Sequence, residues 1–175
     1  MTRIIIALFI AAFALSACDT GQQSGGKGSG IFHIGAADGG KIQFRILDSI
    51  NALRQASGLQ TIELSAELTA AAATHSRDMS IQNRPWHFGS DGSSPPDRVA
   101  RAGYAGPMLG EAISETFEGD VATLSAWMEN DDTRSVILDN NARFMGISWF
   151  QEVNGKIWWT LVIGGRSVFD ESDIW

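Results

Sequence analysis

The run Phe144-Met145-Gly146-Ile147-Ser148-Trp149-Phe150-Gln151-Glu152-Val153-Asn154-Gly155-Lys156-Ile157-Trp158-Trp159-Thr160-Leu161-Val162-Ile163 holds two strand-like segments around one turn dipeptide. Asn-Gly favours hairpin turns because both residues tolerate a positive φ. Residues 144–152 and 156–163 are therefore expected to pair as antiparallel strands. Trp149, Phe150, Trp158 and Trp159 fall inside this hairpin, where their spacing predicts core packing.

Helices precede the hairpin in the sequence. Upstream, residues 110–117 read as another strand, and Asp120 opens a helix bearing Val121, Leu124, Trp127 and Met128. Residues 131–138 read as a turn and short helix. Earlier still, Ile42, Ile46, Leu47, Ile50 and Leu53 recur three or four apart and end at Gly58, as expected of an amphipathic helix. Ser65 is the expected N-cap of a second helix with Leu68, Ala71, Ala72, His75 and Met79 on one face. The 82–96 segment breaks this periodicity with Gly, Ser and Pro around Trp86, His87 and Phe88, and long loops of this kind often carry function. Asp97 is expected to cap a short helix ended by Gly103. Helices and antiparallel strands without a regular βαβ period predict an α+β fold, with helices covering an antiparallel sheet.

The chain has 175 residues, which suits one domain, and a formal charge of −7. A net anion is a poor nucleic-acid binder, so no nucleic-acid partner is expected. Arg3 precedes the apolar run Ile4–Ala14, too short to span a bilayer comfortably, and Leu15-Ser16-Ala17-Cys18 follows. This order looks like a bacterial lipobox. Residues 1–17 are then a signal peptide, Cys18 is acylated, and the acyl chains tether a soluble domain to a membrane in the cell envelope, facing the periplasm or exterior. Cleavage removes only Arg3 among the charged groups and takes the net charge from −7 to −8. Cys18 is the single cysteine, so no internal disulfide can form. Residues 18–40 are Gly-rich and read as a tether. Ile31-Phe32-His33-Ile34 interrupts it, either docking on the domain or making no specific contact; His33 is expected in solvent. Residues 166–175 read as an acidic tail.

The ordered set Asn51-x-x-Arg54, Leu64…Leu68-x-x-Ala71-Ala72, Asp78-Met79, His87, Asp91-Gly92-Ser93, Arg98-Val99, Ala102-Gly103-Tyr104, Gly110-Glu111, Trp127-Met128, Arg134, Ile137-Leu138 and Gly146 resembles the bacterial branch of the CAP superfamily. These are the cysteine-rich secretory, antigen-5 and pathogenesis-related proteins, also called SCP-like extracellular proteins. The resemblance covers residues 41–165. It implies an α/β/α sandwich with a central antiparallel sheet and a cleft of two histidines and two glutamates, which in some members binds a divalent cation.

His87 matches the first histidine and Glu111 the first glutamate. Thr133 stands where the second histidine belongs. Glu129 lies near the second glutamate but one residue early, with Asn130 at the usual spacing. The resemblance thus implies a ligand cleft of His87, Glu111, Glu129 and Thr133. His87 and Glu111 alone make a weak zinc site, because zinc favours three or four imidazole, thiolate or carboxylate ligands. No cofactor is expected, and only weak cation binding assisted by Asp131 and Asp132 stays open.

His75, on an apolar helix face, reads as a core histidine. Ser90, Asp91, Ser93 and Ser94 read as turn residues and not as a triad, which would draw on distant segments. The expected function is a membrane-tethered, non-catalytic CAP-domain protein binding a lipid, a peptide or an envelope component. The alternative is a metal-assisted hydrolase of envelope polymer or peptide.

Overall fold

The computed structural model describes residues 32–167. Residues 1–31, with Cys18 and most of the tether, and residues 168–175 of the tail lie outside the described residues. The elements are α1 (Gly39–Ala56), β1 (Glu63–Leu64), α2 (Ala66–Gln82), α3 (Pro95–Arg101), β2 (Met108–Thr116), α4 (Asp120–Glu129), α5 (Asp131–Ile137), β3 (Ala142–Gln151) and β4 (Ile157–Gly165). The sheet order is β1-β3-β4-β2.

The three long strands are antiparallel, as the sequence predicts. The departure is β1, whose two residues pair parallel to β3 through Glu63↔Phe144 and Leu64↔Met145. A strand that short shows no alternation to read. The hairpin connection also differs. Glu152 N–H donates to the Lys156 carbonyl at 2.8 Å, and Gly155 is the connection's positive-φ residue, at 92°. The loop is therefore three residues closed by a left-handed glycine, not a two-residue turn needing positive φ at Asn154 as well.

Strand β4 is central and buried along its whole length. Its alternation sorts the two faces. Ile157, Trp159, Leu161 and Ile163 meet Ile42, Ile46 and Ile50 of α1 and Leu124 and Trp127 of α4. Val162 meets Leu68, Ala71 and Ala72 of α2 with Val99 of α3. Helices thus cover both faces of the sheet, and the fold is the expected α+β sandwich. Gly146 of β3 lets α2 lie directly on the strand, since a Cβ there would overlap the Leu68–Thr69 peptide.

Asn51 and Arg54 close the α1 end. The Asn51 side chain accepts from Ile62 N–H at 2.8 Å and donates to the Ile62 carbonyl at 3.0 Å. Arg54, fully buried, donates to the carbonyls of Gln60, Ile137 and Asp139. The helix starts at Gly39, within the last two residues of the stretch read as tether. Before it, residues 32–34 are docked: the Gln151 amide donates to the Phe32 carbonyl at 2.7 Å and accepts from Ile34 N–H at 2.9 Å. His33 is exposed.

One cap is corrected. Ser94, not Asp97, is the N-cap of α3. Its hydroxyl accepts from Asp97 N–H while the Asp97 carboxylate accepts from Ser94 N–H, and prolines fill the first helical positions. This reciprocal arrangement satisfies two orphan donors at once, which Asp97 as the cap could not do.

Candidate functional site

Strand β2 carries Glu111 directly after Gly110. A Cβ on Gly110 would lie 2.6 Å from Val136 Cγ2, so the bare glycine lets α5 lean on the strand here. The Glu111 side chain is 3% exposed. Three basic side chains converge on it from α2, the α2–α3 loop and α3.

Arg98 of α3 is the closest to a full counter-ion. Its Nη2 donates to both Glu111 oxygens, at 3.1 and 2.8 Å, and the guanidinium is itself buried. Its Nη1 donates to the carbonyls of His87 at 2.8 Å and Ser93 at 3.3 Å. One side chain therefore neutralises the carboxylate and pins the loop that carries His87. A buried carboxylate without such a partner would be strongly disfavoured.

His87 Nδ1 lies 2.9 Å from Glu111 Oε1. A carboxylate can only accept, so Nδ1 carries the proton, and neutral His87 has Nε2 left as an acceptor. Its side chain is 51% exposed. His75 of α2 is wholly buried, with Nε2 3.0 Å from the Trp86 carbonyl and 3.7 Å from Glu111 Oε1. The carbonyl fixes the proton on Nε2, and Nδ1 is buried without a partner. Burial pushes the His75 pKa down, against the opposing pull of Glu111, so the ring is neutral at neutral pH.

His87, Pro95, Pro96, Met108, Leu109, Gly110 and Glu111 line a hollow of about 270 Å³. Neither Glu129 nor Thr133 lines it. Glu129 ends α4 and is exposed, and Thr133 in the first turn of α5 donates its hydroxyl to the Trp127 carbonyl at 2.5 Å. The structure thus brings His87 and Glu111 together and leaves the other two expected cleft residues outside the hollow. Asp131 pairs with Arg134. The Ser90–Ser94 stretch does turn chemistry. Ser90 N–H donates to Asp78 and Ser93 N–H to Asp91. Hydrogen bonds from Ser93, with Arg101 beside it, hold the Asp91 carboxyl well below the usual range.

The donor set does not fit zinc. Both Glu111 oxygens already accept from a guanidinium, whose charge would repel a dication at the same place. The hydroxyl that stands for the second histidine is spent on a backbone carbonyl. Among the described residues, no group of three or more His, Cys, Asp and Glu side chains is arranged to hold an ion.

The pairing of Arg98 with Glu111, and the approach of core His75 to the same carboxylate, are not legible in the sequence. The sequence signal for Arg98 is one of two arginines in a short capped helix, which says nothing about reach to a strand.

A histidine from the loop between two helices, meeting a glutamate on the sheet of an α+β sandwich, defines a CAP-type domain. The chain belongs to the cysteine-rich secretory protein (CAP) family, whose pattern matches residues 47–163. It is 28% identical over 120 residues to the uncharacterized protein YkwD of Bacillus subtilis, covering 69% of this chain but 46% of that one. An extracellular SCP-domain protein of Bacillus anthracis superposes with a TM-score of 0.68 at 19% identity, over 77% of this chain and 45% of that one. The chain thus spans about half the length of these two relatives. An outer surface protein of Borrelia burgdorferi gives a TM-score of 0.67 at 14% identity, over 73% of this chain and 94% of its own.

Proposed function

We propose that this CAP domain is an extracytoplasmic, membrane-tethered binding protein. In this reading it holds a lipid, peptide or envelope component at the His87/Glu111 hollow and performs no catalysis. The observation that carries the proposal is a half-exposed imidazole fixed by a buried, charge-compensated carboxylate. His87 Nε2 offers one oriented acceptor, and Pro95, Pro96, Met108 and Leu109 offer apolar contact beside it. That pairing suits a ligand with a hydrogen-bond donor on an apolar body. A hydrolase would need an activated nucleophile within reach of a base. The guanidinium on Glu111 disfavours the metal-assisted alternative.

The lipobox-like Leu15-Ser16-Ala17-Cys18 supports the tether. Similarity to proteins described as extracellular or outer-surface supports the location. Among the described residues no helix is long and apolar enough to cross a membrane. The test is native mass spectrometry of the protein taken from its own membrane. A co-purifying molecule absent from His87→Ala is the expected result, with added lipid mass on Cys18. Submicromolar zinc affinity abolished by the same substitution would overturn the non-metal reading.

A further inference from the structure

We propose that the hairpin end of the sheet is a lipid-contact face, which seats the tethered domain on the bilayer with the His87/Glu111 hollow held away from it. This rests on the reading of Cys18 as the anchor. Seven large hydrophobic side chains are exposed in the described chain, and four of them gather at this end. Phe117 is 54% exposed and Val121 51%, on either side of Gly119 at the start of α4. Phe32, 41% exposed, lies over Gly119, where a Cβ would sit 3.0 Å from its ring. Val153 is fully exposed at the hairpin tip. Apolar side chains gathered this way mark an interaction site more often than scattered ones do.

The chain itself says what the face meets. Gln151 clamps the Phe32–Ile34 backbone to the hairpin and also donates to the Gly155 carbonyl at 3.0 Å. The first described residues are therefore held at this end of the domain. Residues 19–31 can span at most roughly 45 Å when fully extended.

Charge permits the contact although the protein is a net anion. Near this end Asp120 pairs with Arg45 at 2.6 Å, Glu115 with Lys156 at 2.8 Å and Asp38 with Lys41 at 3.4 Å. Glu118 is exposed, and Glu152 beside Val153 accepts hydrogen bonds from Ser80, Asn154 and Trp158; among the described residues neither forms an ion pair. Apolar insertion and not attraction to anionic lipid is then the driving term. Glu111 stands five strand positions from Thr116, or about 17 Å further along the sheet. The hollow is thereby kept clear of the surface.

The test uses the full chain, acylated at Cys18 in a lipoprotein-processing host and reconstituted in phosphatidylethanolamine–phosphatidylglycerol vesicles. An acylated Cys18 is blocked at sulfur, so Phe117→Cys, Val153→Cys and, at the opposite end of β3, Asn140→Cys each supply one site for a nitroxide. Labels at 117 and 153 should favour lipid-soluble oxygen over an aqueous nickel chelate, and the label at 140 should do the reverse. Gln151→Ala, and separately Phe32→Ser with Phe117→Ser, should abolish the shielding at 153, while added salt should leave it unchanged. Acylated Cys18 with all three labels equally aqueous would overturn the lipid face alone. Cys18 of unmodified mass would overturn the anchor and the proposal with it.

Discussion

His75 and His87 approach the same oxygen of the same carboxylate from opposite conditions. One ring is sealed in the core and the other is half in water. The sealed ring has its proton fixed by the Trp86 carbonyl and is kept neutral by burial. The open ring spends one nitrogen on Glu111 and is otherwise half in water. The difference teaches that proximity to the carboxylate does not define a role here; access does. His75 braces α2 against the loop, and His87 is the group that solvent can reach.

The largest effect should come from removing what the two rings share. Glu111→Ala leaves the buried Arg98 guanidinium without its counter-ion and should cost about 3–5 kcal/mol in urea unfolding. Unfolding midpoints equal to the parent would break the view of Glu111 as the hub. Next, His75→Ala opens a cavity between α2 and the loop, at about 2–3 kcal/mol.

The pH dependence sharpens the contrast. The folded-state value of His75 lies below its ordinary 6.5, so the unfolded chain takes up that proton more readily. Stability should be complete above about pH 6.5 and fall as pH drops below it towards the folded value. His75→Phe should flatten that slope, measured as urea midpoints across the acid range. The smallest effect on stability should be His87→Ala itself, no more than about 1 kcal/mol, because the ring is half in water and Glu111 keeps both Arg98 hydrogen bonds without it. That variant should lose the bound ligand while its melting curve barely moves.

The sequence made the architecture readable where local rules suffice. The 144–163 hairpin, the α1 and α2 stripes and the Ser65 cap all rest on neighbours within one turn or one strand pair. The Ser94-Pro95-Pro96-Asp97 box was equally local and could have been identified from its proline positions. The parallel strand Glu63–Leu64 was not readable, since two residues carry no period. At the site, His87 and Glu111 could be matched through the order of family motifs. Arg98 could not be assigned to Glu111 in the same way. A guanidinium fork joining a helix, a loop carbonyl and a strand is a product of tertiary geometry, and no spacing encodes it. The positions of Glu129 and Thr133 relative to the hollow depend likewise on how α4 and α5 are set against β2.

Arg98 has a consequence for anyone who would redesign this domain. Its Nη2 sets the charge balance at Glu111, and its Nη1 holds the loop shape through His87 and Ser93. Polarity and contour of the hollow are therefore a single variable governed by one residue. A library that randomises position 98 to alter binding preference would mostly sample collapsed loops. New specificity is better sought at Pro95, Pro96, Met108 and Leu109, which line the hollow without tying it together.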